Sequence, residues 1–170
     1  MVNNKDNNFL ETSFLLEEFN NLCDKAKKYW LNAVYELIRT VEPQKILYFM
    51  WNCNACDIKD ASPIEQIFTI AFYYILSINN IDDIKMFSQY KVKKYCVDFY
   101  IEYNGKKYAI ELDGFDYHSN KKQMNYDYKR EQDLNELGYR VIRFTGSQVF
   151  NSPFDCAIKL LNIIKGNENA

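Results

Sequence analysis

The segment from Tyr95 to His118 constrains the fold of this chain most, because it carries a strong signal for a tight β-hairpin. Two runs in which apolar and polar residues alternate, Tyr95–Tyr103 and Lys106–Asp113, flank the dipeptide Asn104-Gly105. Asn-Gly favours two-residue hairpin turns, because both positions of such a turn require positive φ. We therefore predict two antiparallel strands joined by this dipeptide, although a three-residue loop with a bulge would shift the pairing by one residue.

The two-residue turn places acidic side chains together on one face of the hairpin. In that register Asp98 lies opposite Glu111, and Asp113 follows on the same side because side chains alternate along a strand. Opposed side chains have Cβ atoms only ~5 Å apart, so like charges there are destabilising. Positions 96, 98, 100, 109, 111 and 113, which surround the cluster on this face, contain no lysine or arginine. We therefore expect a divalent cation with oxygen ligands to neutralise the cluster, the alternative being an exposed acidic face without an ion.

The composition is typical of one globular domain with local rather than global positive charge. The chain has 170 residues, 48% of them hydrophobic, and a formal net charge of −2. This length can bury a sizeable core. The charge excludes the overall basic field found in many nucleic-acid-binding proteins. Two local patches are nevertheless candidates for contact with a phosphate backbone, and they contain Gln89, Lys91, Lys93 and Lys94, and Lys121, Lys122 and Arg130.

The cysteine count and the first residues indicate an intracellular protein. Five cysteines are an odd number, and the polar start MVNNKDNN is unlike a signal peptide. The longest nearly apolar run, residues 67–78, is too short to span a bilayer. We expect a cytoplasmic location and no membrane partner.

The N-terminal part of the chain is predicted to be helical. Apolar residues recur every three or four positions over residues 11–40, as in an amphipathic helix. A second helix is predicted to begin at Ser62 and to continue to about Ile78. Ser62 can cap it, Pro63 suits its first turn, and Glu65 stands where a capping box requires an acid. This second helix is apolar on nearly all sides and should be buried.

The remainder is predicted to alternate between strands and helices. A strand is expected near residues 84–90, before the hairpin. A polar helix over residues 119–137, a strand at Tyr139–Thr145 and a last helix from Pro153 to Lys165 follow it. From residue 62 the order is therefore helix, three strands, helix, strand, helix. We predict an N-terminal helical extension, residues 1–61, packed on a core domain, residues 62–166.

Motifs spread over residues 62–165 resemble the PD-(D/E)xK nuclease superfamily, and within it the very-short-patch-repair branch and its small nuclease relatives. The similarity is carried by the pattern VDF…IELDG…H…D..R...L...G..VIRF, whose members fall in order at similar spacing. They are Val97 to Phe99, Ile110 to Gly114, His118, Asp127, Arg130, Leu134, Gly138 and Val141 to Phe144. The resemblance implies an α/β fold with a mixed α+β sheet: a restriction-endonuclease-like αβββαβ core with extra N-terminal helices and a C-terminal helix.

The resemblance also implies hydrolysis of DNA phosphodiester bonds with Mg²⁺ or Mn²⁺ as cofactor, RNA being the less favoured substrate. Asp98 and Glu111 would hold the ion, and Glu65 would be a third acidic ligand. The superfamily's lysine, two residues after the glutamate, is replaced by Asp113, so its role has no counterpart here. Close relatives of the branch combine an acid at that position with a nearby histidine. His118 is therefore the candidate general acid or base, since imidazole titrates near neutral pH.

Other interpretations of these residues remain open. Glu65 can serve only as a helix cap, and Asp127 and Arg130 lie one turn apart and can form a surface ion pair. Arg130 can also hold phosphate or buttress a carboxylate. A nuclease-like module that binds nucleic acid or protein without cutting is the second hypothesis, favoured by the acidic charge and the missing lysine. A homodimer is considered because cutting both strands of a duplex often needs two active sites.

Overall fold

The computed structural model describes residues 19–20, 22–40, 49, 61–113 and 121–166. The chain divides into two compact units, Met1–Asn80 and Ile81–Ala170. The separation of an extension, residues 1–61, from a core domain, residues 62–166, stays a prediction.

The first unit contains helices α1, Asp24–Thr40, and α2, Pro63–Ile78. The predicted helix over residues 11–40 is wrong in its continuity, because Leu22 and Cys23 are not helical and α1 begins after them. The Cys23 N–H donates to Oε1 of Gln66 at 3.0 Å. A side chain of α2 therefore takes a donor that a continuous helix would use for its own carbonyls. Residues 11–18 of this prediction lie outside the described residues.

Helix α2 has the predicted bounds and the predicted cap. The Glu65 N–H donates to the Ser62 hydroxyl at 3.4 Å, and the Ser62 N–H donates to Oε2 of Glu65 at 2.7 Å. This reciprocal pair is a capping box, and it satisfies two N–H groups that the helix end leaves without internal partners. The helix is buried along most of its length, as its apolar composition predicts.

The second unit is built on a four-stranded mixed sheet in the order β1-β2-β3-β4. The first three strands are antiparallel, and β3 and β4 are parallel. The second, third and fourth strands have the predicted bounds, and the first lies two residues later than expected. The strands are β1 at Met86–Val92, β2 at Tyr95–Tyr103, β3 at Lys106–Asp113 and β4 at Tyr139–Thr145.

The hairpin turn is the two-residue turn that the sequence predicts. Asn104 has a φ of 50° and Gly105 a φ of 71°. The pairing runs from Tyr103 opposite Lys106 to Phe99 opposite Ile110, so no bulge shifts the register. A residue with a Cβ is strained at such a φ, which explains the glycine although the space around it is open.

Three helices accompany the sheet: α3 at Lys121–Glu136, α4 at Gly146–Asn151 and α5 at Pro153–Lys165. Helix α3 connects the parallel strands β3 and β4, which need such a crossover. Its predicted start at residue 119 lies outside the described ranges, which leave out residues 114–120. Helix α4 was not predicted. It follows β4 directly and has its own capping box between Thr145 and Gln148.

Apolar side chains cover both faces of this sheet. Tyr95, Val97 and Ala109 belong to one apolar cluster with Leu134 of α3. Towards α5, the buried Tyr108 hydroxyl donates to a carbonyl near the end of that helix. The apolar residues at positions 157, 158, 161 and 164 predict an inward face of α5, but Ile158 is 44% exposed, so its predicted inward position is wrong. The buried positions of α5 follow the three-and-four spacing of a single stripe, which Ile158 falls outside. The mixed α+β sheet is confirmed, and so is the order of elements apart from the additional helix α4.

Candidate functional site

The β2–β3 hairpin brings Asp98 and Glu111 together where the pairing of the two strands ends. The Leu112 N–H donates to Oδ2 of Asp98 at 2.7 Å, so a side-chain oxygen takes the place of a backbone carbonyl as the next acceptor between the two strands. Asp98 is half-buried and Glu111 is only 6% exposed. The charge of Asp98 contributes to the raised pKa of Glu111. The predicted juxtaposition of these two carboxylates is therefore present.

Burial dominates the electrostatics of Glu111. It is the largest of the influences that together raise the pKa of this carboxyl from 4.5 to about 7. The positive charge of Arg130 acts in the opposite direction, the charge of Asp98 raises the pKa further, and the charge of Arg143 lowers it. Both protonation states of Glu111 are consequently populated near neutral pH in the protein alone.

Arg130 on α3 is the direct partner of Glu111. Its Nη2 donates to Oε1 of Glu111 at 2.7 Å and also to the backbone carbonyl of Cys96. The guanidinium carbon lies 6.0 Å from the centre of the Tyr95 ring. The Arg130 side chain is 19% exposed and the Glu111 side chain 8%. This is a largely buried, charge-assisted contact between helix and sheet.

The Arg130 contact corrects the electrostatic argument made from the hairpin. The inference that the acidic pair lacks a cationic neighbour and therefore needs a divalent ion to neutralise it is wrong, because an arginine already contacts Glu111. The cation lies on helix α3, which packs on the sheet and is distant in sequence from the hairpin strands, so the hairpin residues alone do not reveal it. The metal requirement and the phosphate contact predicted for Arg130 both stay predictions.

Arg143 is a second cation beside the pair, and it was not singled out from the sequence. Strand β4 pairs with β3 in parallel register, with Arg143 next to Glu111. Neighbouring positions on adjacent strands share a face of the sheet. Arg143 Nη2 lies 3.4 Å from Oε2 of Glu131 on α3. Aligning the ends of the two predicted strands, Asp113 with Thr145, would have identified this neighbour.

The other residues predicted to bind metal or transfer protons are Asp113, Glu65 and His118, and each lies in a different part of the chain. Asp113 is the last residue of β3, half-buried and next to Thr145 of β4. Glu65 lies in the first unit, 7% exposed, and accepts the Ser62 N–H of its own capping box. Its role as a metal ligand stays a prediction. His118 lies outside the described residues, and so does its predicted role as an acid or base.

The first basic patch lies along β1 and its turn to β2. Lys91, Lys93 and Lys94 are exposed, and Lys93 adopts a φ of 54° in the turn. Gln89 is exposed, has a φ of 45°, and accepts a weak hydrogen bond from Sγ of Cys96.

Lys94 has protein partners: its Nζ lies 3.3 Å from Oδ2 of Asp133 and 4.9 Å from the centre of the Tyr95 ring. Lys121 and Lys122 begin α3, but their side chains lie outside the description.

The donor chemistry of the acidic pair fits a hard divalent cation. In the described parts of the chain, no cluster of three or more His, Cys, Asp or Glu side chains is arranged to hold a metal. Asp98 and Glu111 nevertheless supply two adjacent carboxylates. Mg²⁺ is commonly bound in this way, through one or two carboxylates together with water and substrate phosphate. These two residues would hold such an ion.

Comparison with known protein families gives a match that covers most of the second unit. A family model described as REase_MTES_1575 matches residues 76–164, a little over half of the chain. The matched segment includes all four strands and the Asp98–Glu111 pair. No curated protein and no solved structure matches. Among the described residues, no helix is long and apolar enough to cross a membrane.

Proposed function

The chain belongs to the restriction-endonuclease-like family REase_MTES_1575, and on this basis we propose that it is a divalent-metal-dependent endonuclease that hydrolyses DNA phosphodiester bonds. The observation that carries the proposal is the pairing of Asp98 with a buried Glu111 at the end of the β2–β3 hairpin. This pairing falls inside the segment that matches the family. The nearer likeness to the very-short-patch-repair branch belongs to the same proposal.

The charges of the site explain why a cofactor is part of the proposal. A phosphodiester is an anion, and two carboxylates alone would repel it. Bound Mg²⁺ or Mn²⁺ supplies positive charge to the phosphate and makes water more acidic. Asp98 and Glu111 hold the ion, with Glu65 as a third acid and Asp113 nearby.

The remaining residues are assigned to proton transfer and to DNA binding. His118 moves the proton as general acid or base. Gln89, Lys91 and Lys93, exposed on β1 and its turn, contact the DNA backbone. Lys94, Lys121, Lys122 and Arg130 belong to the same predicted surface. An intracellular location and a homodimer complete the proposal.

Cleavage assays with conservative variants test this function. We expect the purified protein with Mg²⁺ or Mn²⁺ to nick at least one of single-stranded, duplex, mismatched or branched DNA. Asp98→Asn and Glu111→Gln should each abolish the activity, because both keep the shape of the side chain and remove its charge. Asp83→Asn and Glu102→Gln are matched controls at exposed acidic positions and should keep full activity. Intact DNA in every reaction, or an active Asp98→Asn variant, would refute the proposal.

A module that binds without cutting is the second candidate, and the Arg130–Glu111 contact favours it. An acid that already has a cationic partner needs an ion less than an unpaired acid does. This candidate predicts DNA or protein binding that is unchanged by EDTA, with no cleavage. Parallel digestion of DNA and RNA of the same sequence separates the proposed DNA endonuclease from one that acts on RNA.

A further inference from the structure

We propose that Arg130 is a positioning residue, which holds the Glu111 carboxylate in place and serves as its resident counter-ion until a divalent cation binds; this inference rests on the proposed function. It assigns to Arg130 a role toward Glu111 in place of contact with the DNA backbone.

The contacts of Arg130 join the two strands that carry the acidic pair. One nitrogen, Nη2, donates both to Oε1 of Glu111 on β3 and to the carbonyl of Cys96 on β2. Cys96 precedes Asp98 by two residues, so the guanidinium connects the backbone beside one carboxylate with the other carboxylate. A single side chain thereby fixes the position of Glu111 relative to β2.

The surroundings of Arg130 limit its movement. The Tyr95 ring lies under the guanidinium at 6.0 Å, and four-fifths of the side chain is covered. One turn further along α3, Asp133 accepts a hydrogen bond from the Tyr95 hydroxyl at 2.6 Å. Helix α3 is therefore attached to β2 at two successive turns, and Arg130 is the attachment that contacts Glu111. A phosphate-binding arginine is expected to be more exposed, as neighbouring Lys129 is.

The positive charge of Arg130 has a consequence for metal binding. A guanidinium on one oxygen of Glu111 opposes a divalent cation on the same carboxylate, because the two cations repel each other. At a pH high enough to keep Glu111 ionised, removing the charge should tighten metal binding while releasing Glu111 from its position. Loss of position lowers the rate of a reaction even when binding is preserved. A positioning role therefore predicts a higher metal affinity together with a lower reaction rate. Loss of the fold would lower both.

The test compares Arg130→Met with the parent protein by Mn²⁺ titration and by steady-state cleavage, both at a pH at which Glu111 is ionised in the two proteins. We expect Arg130→Met to bind Mn²⁺ several-fold more tightly. At saturating Mn²⁺ its kcat should fall at least tenfold, with the KM for DNA unchanged. Arg130→Lys, which keeps the charge, should retain the parent's Mn²⁺ affinity and recover part of kcat.

Two controls on α3 separate charge and attachment from positioning. Lys129→Met removes the same charge one residue away and should leave Mn²⁺ affinity and kcat unchanged. Asp133→Asn weakens the other attachment of α3 to β2 without touching Glu111, so it should lower the melting temperature and not the Mn²⁺ affinity or kcat. Equal effects of Asp133→Asn and Arg130→Met on kcat would overturn the inference, since Arg130 would then act only by attaching the helix.

The remaining outcomes also decide the matter. Mn²⁺ affinity that is unchanged or weaker in folded Arg130→Met overturns the inference. A higher KM for DNA, together with a slope of log K against log[salt] that is smaller by about one, also overturns it, because this would indicate a phosphate contact. If Arg130→Met does not fold, the kcat and KM of Arg130→Lys decide in the same way. A parent protein that binds Mn²⁺ but cuts no DNA refutes the proposed function and leaves the affinity comparison to decide on Arg130. A parent that binds no Mn²⁺ refutes both.

Discussion

Glu111 is buried where ionisation of its carboxyl is unfavourable, and the charges of its neighbours determine how far its pKa is raised. Burial disfavours the ionised carboxylate, and Asp98 adds like-charge repulsion. Arg130 and Arg143 oppose both effects without cancelling them, so the pKa stays at about 7. A carboxyl group in this condition binds a cation with release of a proton near neutral pH.

The raised pKa predicts a particular dependence of stability on pH. A folded-state pKa of about 7 against an ordinary value of 4.5 means that the folded protein binds the proton more tightly than the unfolded chain. Stability should therefore fall by about 3 kcal/mol as the pH rises from about 4.5 to 7. Glu111→Gln cannot ionise and escapes this loss, so its free energy of unfolding should rise relative to that of the parent over this interval.

Urea unfolding in EDTA at a series of pH values measures this difference. Glu102→Gln is the control, because Glu102 is exposed on the same hairpin and the amide can still accept the Tyr100 hydroxyl. A difference between Glu111→Gln and the parent that is constant from pH 4.5 to 7.5 would contradict the prediction.

Helix α2 has an N-terminus in which one residue is assigned two roles. Glu65 accepts the Ser62 N–H, and the same side chain is proposed as a metal ligand. The cap needs only an oxygen acceptor, whereas a ligand for a divalent ion needs a negative charge. Substitutions at these two positions therefore separate the roles.

We predict that Ser62→Ala lowers the free energy of unfolding by about 1 kcal/mol through loss of the cap, with little change in cleavage. Glu65→Gln keeps an acceptor oxygen, so it should change stability by less than Ser62→Ala and still lower cleavage strongly. Urea unfolding and nicking assays on the two variants measure both quantities. Full activity of Glu65→Gln would leave Glu65 as a helix cap alone.

The chain as a whole is slightly acidic, so any attraction for DNA must come from local patches. Among the described basic residues, Lys91 and Lys93 are exposed on β1 and its turn, and Lys94 is paired with Asp133. The net charge of −2 therefore does not argue against a nucleic-acid substrate. It predicts that affinity depends on a few residues and on salt.

We predict that the double variant Lys91→Gln, Lys93→Asn weakens DNA binding equally for different sequences. The slope of log K against log[salt] should decrease by about two, one for each phosphate that a lysine no longer neutralises. Asparagine is chosen at position 93 because it tolerates the positive φ of that turn. Lys159→Gln with Lys165→Gln, both exposed on α5, is the matched control. An unchanged slope in the first pair would remove these lysines from the DNA-binding surface.

Local rules of the sequence account for most of the fold. Alternation with period two gives the bounds of β2, β3 and β4, and the positive φ of Asn104 and Gly105 fixes the hairpin register. Ser62 and Pro63 locate the start of α2. These predictions succeed because each depends on residues close together in the chain, whose conformational preferences act before any packing does. The capping residues Thr145 and Gln148 carry the same kind of local signal for α4.

The tertiary structure decided the features that depend on distant residues. Arg130 reaches Glu111 across 19 positions of sequence because α3 packs on the sheet, and Gln66 interrupts a helix 43 positions earlier. Arg143 lies beside Glu111 because β4 is parallel to β3. The sequence by itself determined that two acids meet at the end of a hairpin. The packing of α3 on the sheet decided that Arg130 is the cation in contact with Glu111. Neither local periodicity nor turn chemistry specifies such a contact, because it joins segments that are distant in the chain.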